Sequence, residues 1–568
     1  MDKHHVANIL YEMSQALEIK GDNPFRVRAY QNAARIIESL PGDLEQMLKS
    51  GELAEIKGIG SHLLDHIQEI LKTGELKEHK HLMKSLPPGI FEMLKIQGVG
   101  PKKVAVLWKE LAISNVGELE YACKENRLLE LPGFGVKMQE KILAGIAYLK
   151  RFADQHLYET ALFAAQKILE KIKKQKGVIK AEIAGSIRRH KEIVKDIDIL
   201  VATKNPEPIM QAFVSLPEVE SITAHGQTKS SVLLANGIAA DLRAVTEEQF
   251  PFALHYFTGS KEHNVAMRAL AKAKGLKLNE YGLFKKDKLL ACKNEAELFK
   301  TLGLVYIPPE LRENQGEIPA AARAKLPDLV EQKDLKGVFH VHSNWSDGLA
   351  TILEMAKASQ KIGYKYLGLS DHSRSAQYAG GLKPEDIKKQ HQEIDEVNKK
   401  LKGFTVLKGI ECDILADGSL DYPDSILKSF DFVIISIHSR FNMPEAEMTK
   451  RIIKGMQNPY AKILGHPTGR LLLAREGYKI DIPKIIEAAA KNKVAIEINA
   501  HPQRLDLDWR YGKFAKDKGV KIVISPDAHD AEGLQHMAYG LGIARKGWLE
   551  KSDILNCLPL DEVKKYFK

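Results

Sequence analysis

Along the first 150 positions apolar residues recur at three- and four-residue spacing, as in Val6-Ala7-Ile9-Leu10-Met13 and Ala33-Ile36-Ile37-Leu40. That period predicts helices throughout. From 151 to about 300 the pattern mixes a long helix over 158–174 with strand-like runs at 181–184, 197–202, 230–234 and 238–245, an α+β arrangement. The stretch 306–337, with Pro308-Pro309, Pro319 and Pro327, reads as a linker. Beyond it, seven short apolar runs, at 338–341, 366–369, 405–410, 432–437, 462–464, 495–498 and 521–524, alternate with amphipathic stretches such as 387–401 and 482–490. This alternation predicts repeated β/α units closing into a barrel.

A length of 568 residues calls for three or four separately cored units. With 44% hydrophobic and 28% charged residues the composition is that of folded globular proteins and excludes collagen, coiled coil and wholesale disorder. No apolar run is long enough to span a membrane and no secretory signal opens the chain, so a soluble, cytoplasmic protein is expected. Four scattered cysteines, at 123, 292, 412 and 557, suit neither a disulfide framework nor a zinc ribbon and are expected to stay reduced. The net charge of +10 is local. Residues 101–300 carry 32 basic and 24 acidic groups, eight of the ten excess positive charges. A polyanionic partner such as nucleic acid explains that excess, as do solvated lysine-rich helix faces.

Three glycine turns punctuate the helical region: Gly58-Ile59-Gly60, Gly98-Val99-Gly100 and Gly133-Phe134-Gly135, 40 and 35 residues apart. A Gly-x-Gly corner lets the backbone approach a ligand closely, and the following helix start offers outward amides to an anion. One such corner is an ordinary tight turn, whereas three in series suggest DNA phosphates. Lys102 and Lys103 after the second turn and Lys137 after the third add cations there, while Ser61-His62 after the first do not. The three resemble the helix-hairpin-helix motif, a sequence-independent binder of DNA backbone.

A second constellation begins at Gly185-Ser186-Ile187-Arg188-Arg189, followed by Asp196-Ile197-Asp198, whose carboxylates share one strand face, and by Asp241 on another strand candidate. Three crowded carboxylates repel one another and must raise their pKa values or hold hard divalent cations. Together with Tyr256-Phe257-Thr258-Gly259-Ser260, these motifs resemble the signature of family X DNA polymerases, the group containing polymerase beta, over about residues 1–315. The resemblance implies catalytic metal ligation by Asp196, Asp198 and Asp241, with Mg²⁺ or Mn²⁺. It also implies a nucleotide site of Gly185, Ser186, Arg189, Tyr256, Phe257, Gly259, Lys261 and Asn264, and template contact by Arg268. Arg243 shares a face with Asp241 and is expected to pair with a neighbouring carboxylate in the absence of metal. Two departures stand out. His66 falls where lyase-active relatives have a Schiff-base lysine, which puts 5′-deoxyribose-phosphate lyase activity in question because imidazole forms no imine. Lys261 is a cation where polymerase beta has an acid.

The third constellation lies at the ends of the barrel strands: His340 and His342, Asp347, His372, Glu411, His438, His466, Asp527 and His529. Barrel enzymes place their chemistry at that rim. Nine imidazole and carboxylate groups exceed the needs of one ion, so two or three Zn²⁺, Mn²⁺ or Fe²⁺ ions and phosphoester hydrolysis are expected. His501 is left outside the ligand set, and Arg470 and Arg504 are candidates for phosphate contact. The series resembles the polymerase and histidinol phosphatase (PHP) domain over 335–568.

The two resemblances together imply a multidomain chain: a helical N-terminal domain with the first hairpin (1–85), a fingers-like helical subdomain with the other two (86–150), a nucleotidyltransferase palm (151–250), a thumb-like subdomain (251–315), a linker (316–334) and a seven-stranded PHP β/α barrel (335–568). They imply a monomeric DNA repair polymerase that fills short gaps from dNTPs on gapped or primer-template DNA. A metal-dependent 3′-5′ exonuclease accompanies it, with 3′-phosphate removal and cleavage at abasic sites as further options. The rival readings are a phosphoesterase on a small metabolite tethered to nucleic acid, and a non-catalytic DNA-end binder.

Overall fold

A computed structural model describes residues 3–40, 44–96, 98–152 and 154–568, which fall into two compact units, 1–153 and 154–568. The first is helical, as its periodicity predicts. Val6, Leu10, Met13, Tyr30, Ile37, Ile67 and Ile70 form one core, and Ile90, Met93, Val104, Leu107, Leu119 and Ile142 form a second. The first helix, Lys3–Lys20, serves both by directing Leu10 and Met13 to one and Ala16 and Ile19 to the other. In each glycine turn the leading residue is left-handed, with φ of 107° at Gly58, 85° at Gly98 and 83° at Gly133, a region closed to most side chains. Gly60 and Gly100 are extended and directly precede the helices Ser61–Thr73 and Pro101–Leu111.

The second unit contains a five-stranded sheet of β1 (Val178–Ile183), β2 (Asp196–Thr203), β3 (Val219–His225), β4 (Lys229–Leu234) and β5 (Ala239–Val245), in the order β1-β2-β5-β4-β3. Only β2 and β5 run parallel. Ile197, Ile199 and Val201 pack with Tyr158, Ala161, Ala165 and Ile168 of the helix Tyr158–Lys173. The alternate residues Leu200 and Ala202 pack on the other face against Phe250, Ala253 and Leu254. β3 is absent from the sequence expectation because its residues are almost all exposed, so no apolar row marks it.

A second, seven-stranded sheet consists of β6 (Gly337–Val341), β7 (Tyr366–Leu369), β8 (Thr405–Asp413), β9 (Phe432–Ser436), β10 (Ala461–Leu464), β11 (Ala495–Asn499) and β12 (Ile522–Ser525). They are all parallel and follow one another in chain order. A bridge between Val341 and Ala528, with the His342 amide donating to the Ala528 carbonyl at 2.9 Å, brings the two edges together into a nearly closed barrel. All seven expected strands are present. β8 extends to Asp413, which places Glu411 inside the strand instead of after it. The barrel's lower interior is filled by Phe339, Tyr366, Leu407, Phe432 and Ile463, packed against Phe567 of the terminal helix Leu560–Phe567. Gly409 makes room for this layer, since a Cβ there would lie 2.2 Å from the Phe432 ring. No helix among the described residues is long and apolar enough to cross a membrane, and all four cysteines are buried and free.

Candidate active sites

On β2 the residue alternation that buries Ile197 and Ile199 turns Asp196 and Asp198 to the opposite face. The parallel register pairs Asp198 with Asp241 of β5, so the third carboxylate lies on that same face. The three acids predicted from sequence therefore converge. Burial, reinforced by the Asp196 and Asp241 charges, pushes the Asp198 pKa up to about 7. Burial and Asp241 raise Asp196 as well. Lys229 offsets part of this charge with its ammonium 2.7 Å from Asp241 Oδ2. Arg243, expected to pair with a neighbouring carboxylate, places its guanidinium 4.5 Å above the Phe257 ring, and its charge partly offsets the rise of the Asp198 pKa.

The Gly-Ser turn faces the acids. Gly185 has φ +63°, and a Cβ there would lie 2.1 Å from Asp198 Oδ2, so only glycine fits. Ser186 Oγ is buried without a hydrogen-bond partner. An open cleft of about 370 Å³ gathers Gly185, Ser186, Arg189, Asp196, Asp198, Tyr256, Phe257, Gly259, Lys261, Asn264 and Arg268. Every residue expected to hold nucleotide lines this one cleft. Arg189 is held by Glu313 at 3.1 Å and by the Thr258 carbonyl. Arg188 bonds Thr258 Oγ1 at 2.7 Å and Glu295 at 2.6 Å. Asn264 Nδ2 donates to the Tyr256 carbonyl at 2.7 Å.

In the helical unit, Gly98, Gly100, Gly133 and Gly135 have open space where a Cβ would stand, so their backbones are accessible to a ligand. Lys103 folds back and donates to the Gly98 carbonyl at 2.8 Å, while Lys102 and Lys137 are exposed.

At the barrel's upper end all nine expected residues meet in four overlapping groups: His342, Asp347, His372 and His529; His340, His466 and Asp527; His340, His342 and Glu411; and His372, Glu411 and His438. Glu411 is the hub. Its Oε1 lies 3.0 Å from His466 Nε2 and 3.3 Å from both His340 Nε2 and His438 Nε2, and its Oε2 lies 2.8 Å from His372 Nδ1. Burial opposes its charge, yet His438, His340 and His372 hold its pKa well below the carboxylate range. Burial and the neighbouring His529 and His372 push His342 down to about 3. Both His342 ring nitrogens and His340 Nε2 are buried without hydrogen-bond partners. Orphaned imidazole nitrogens converging with carboxylates are the donor set of a borderline transition metal. Three of the nine, His340, His466 and Asp527, have positive φ, of 56°, 21° and 52°. Such strain persists where the surroundings fix it and gathers at functional sites.

Partners of these groups escaped the sequence reading. Glu497 accepts from His340 Nδ1 at 2.5 Å and from the His466 amide at 2.6 Å. Asp413 lies 2.6 Å from His438 Nδ1, and Asn499 donates to Asp527 at 3.0 Å. The alternation of β8 and β11 carried the signal, since Glu411 and Asp413, like Glu497 and Asn499, share a face. His501 stands outside the groups, its ring 5.3 Å from that of His536. Arg470, a candidate for phosphate contact, bonds Asp508 at 3.1 Å and the Arg504 carbonyl at 2.8 Å. Arg504 lies 3.5 Å from Asp527.

The chain is similar to known proteins along its whole length. Residues 1–76 match the helix-hairpin-helix domain family, 90–147 the SAM-like helix-hairpin-helix tandem, 253–313 the DNA polymerase beta thumb and 339–501 the PHP domain. The DNA polymerase/3′-5′ exonuclease PolX of Bacillus subtilis (strain 168) is 40% identical over 572 residues, covering 100% of both chains. The chain belongs to the PolX family. A probable phosphatase of Thermoanaerobacter sp. (strain X514) is 30% identical over 246 residues, 40% of this chain and 93% of its own. A solved ternary P/T complex of Leishmania infantum polymerase beta covers 40% of this chain and 98% of its own at 25% identity, with a TM-score of 0.27.

Proposed function

We propose that this PolX-family chain is a DNA polymerase that fills short gaps and a 3′-5′ exonuclease that trims the ends it extends. The observation that carries the polymerase half is the meeting of Asp196, Asp198 and Asp241 opposite a glycine turn that no side chain can occupy. Asp196 and Asp198 would hold the cation that accompanies the triphosphate, and all three acids a second one. Divalent cations there would neutralise developing charge and favour ionisation of the primer 3′-hydroxyl. Ser186 and Arg189 grip the triphosphate, which requires Arg189 to exchange Glu313 for phosphate oxygens. Tyr256 and Phe257 lie along the sugar, Asn264 meets the base edge, and Arg268 meets the template. Gly58, Gly60, Gly98, Gly100, Gly133 and Gly135 bring backbone amides to DNA phosphates, with Lys102 and Lys137 adding charge.

At the barrel, the nine-residue cluster would hold two or three Zn²⁺, Mn²⁺ or Fe²⁺ ions, which supply Lewis acidity and a water of lowered pKa for phosphodiester hydrolysis. Glu497, Asp413 and Asn499 orient His340, His438 and Asp527. The similarity to a probable phosphatase over this half favours removal of 3′-phosphates as a second reaction of the same site. Two substitutions test the division of labour on gapped and 3′-recessed DNA with Mg²⁺ and Mn²⁺ compared. Asp198→Ala should abolish nucleotide addition and keep Mn²⁺-dependent degradation, and His342→Ala should do the reverse. Both activities surviving both changes would refute the assignment.

A further inference from the structure

Outside both sites, the helical unit contains a third group of ligand-type side chains. His62 and His66 stand four residues apart on the helix Ser61–Thr73, so both project from one face. Their rings are 4.3 Å apart. Glu78, in the first turn of the helix Lys77–Lys84, brings Oε2 to 3.2 Å from His66 Nε2. One ligand atom from each of the three lies within 4.8 Å of the others. Ligands disposed tetrahedrally at about 2.1 Å from zinc are about 3.4 Å apart. His66 and Glu78 already meet that spacing, and the exposed His62 offers a ring nitrogen within 4.8 Å of both.

The surroundings fix the two inner members. Tyr30 Oη lies 3.0 Å from His66 Nδ1, so a proton on Nδ1 donated to the hydroxyl leaves Nε2 as the free lone pair facing Glu78 and His62. Arg26 pairs with Glu78 Oε1 and with Asp22 Oδ2 at 3.0 Å, which leaves Glu78 Oε2 for the cluster. Two histidines at i and i+4, one carboxylate and a hydrogen bond behind the half-buried His66 imidazole make a recurrent three-ligand zinc arrangement with an open fourth position.

We infer that His62, His66 and Glu78 form a divalent transition-metal site, suited to Zn²⁺, that clamps the helix after the first glycine turn to the next helix. His62 also lines a cleft of about 630 Å³ with Arg26, Tyr30, Gly58 and Gly60, so the ion adds positive charge at the edge of that cleft.

The test uses the full-length chain, stripped of metal and titrated with Zn²⁺ against a chromophoric chelator, followed by elemental analysis. The barrel site is common to all variants, so differences in stoichiometry report this site alone. Wild type should bind one equivalent more than His62→Ala and than Glu78→Gln, and Tyr30→Phe should weaken that equivalent about 10- to 100-fold. Circular dichroism and Mn²⁺-dependent degradation at wild-type levels verify that the variants are folded, and the exposed His62 is the substitution least able to disturb packing. Equal stoichiometry in wild type and both variants would overturn the inference and leave the histidines as ion-pair partners of Glu78.

Discussion

Asp198→Asn should disable nucleotide addition and, in metal-free protein, stabilise the fold in a pH-dependent way. In wild type the folded-state pKa of Asp198 is about 7 against an ordinary 3.8, owing to burial and to the Asp196 and Asp241 charges. A carboxyl whose folded pKa is raised binds its proton more tightly in the native chain than in the unfolded one. The associated stability is complete below pH 3.8 and is lost as pH rises to about 7. At 1.36 kcal/mol per pKa unit the full loss is roughly 4 kcal/mol. Solvent reaches the edge of the site, so the observable part is about 1–3 kcal/mol.

Asparagine removes the ionisation and keeps the shape. Thermal unfolding of both proteins in excess chelator, from pH 4.5 to pH 8, should therefore show the variant gaining on wild type as pH rises, by a few degrees in Tm. Because the unit has several cores, the comparison is between the two pH slopes and not between absolute stabilities. Saturating Mg²⁺ should shrink the gap, since a cation removes the repulsion in wild type and has one carboxylate fewer in the variant. Parallel slopes in chelator, or gap filling by the variant at the wild-type rate, would refute the claim that crowded carboxylates are kept there for a cation.

Three further outcomes follow from named contacts. Gly185→Ala sets a methyl 2.1 Å from Asp198 Oδ2 at a φ of +63°; it should cost about 1–3 kcal/mol and at least about 100-fold in primer extension, with degradation unchanged in the same preparation. Glu497→Gln weakens the support of His340 and of the His466 amide, so the Mn²⁺ concentration for half-maximal degradation should rise about 10- to 100-fold while extension is unaffected. Borohydride treatment with a 5′-deoxyribose-phosphate substrate should trap no adduct at His66, because imidazole cannot form the imine, and intact-mass analysis reads this directly.

The residues that converge at the two candidate sites were legible because each sits on a period the fold obeys. Asp196 and Asp198 differ by two on a strand whose other face is apolar, and the barrel histidines recur at the ends of apolar runs. The acids and imidazoles that hold them were less visible. Glu497 is 157 positions from His340, and Asp413 is 25 from His438, so no local spacing links them. Their meaning depends on which strands become neighbours. β3 escaped for the opposite reason: it is an exposed edge strand held by backbone pairing to β4, which leaves no apolar alternation to read.

The packing between the palm and the barrel was equally hidden, and it bears on how the two activities share one chain. Lys546, at the end of the barrel helix Met537–Lys546, is fully buried, donates to the Arg189 carbonyl at 2.9 Å and lies 2.5 Å from Glu313. Burial lowers its pKa to about 8 despite Glu313. Glu313 is also the group that holds the Arg189 side chain, and His190 packs its ring on Tyr158 and closely approaches Gly542 of the same barrel helix. The Gly185–Arg189 turn is thus anchored on its far side by the barrel. A buried ammonium without its carboxylate is costly, so if Arg189 turns to phosphate as proposed, Glu313 should stay with Lys546. On the proposed reading the barrel helix supplies that turn with a fixed counter-charge, which accounts for the burial of a lysine that belongs to none of the barrel's ligand groups.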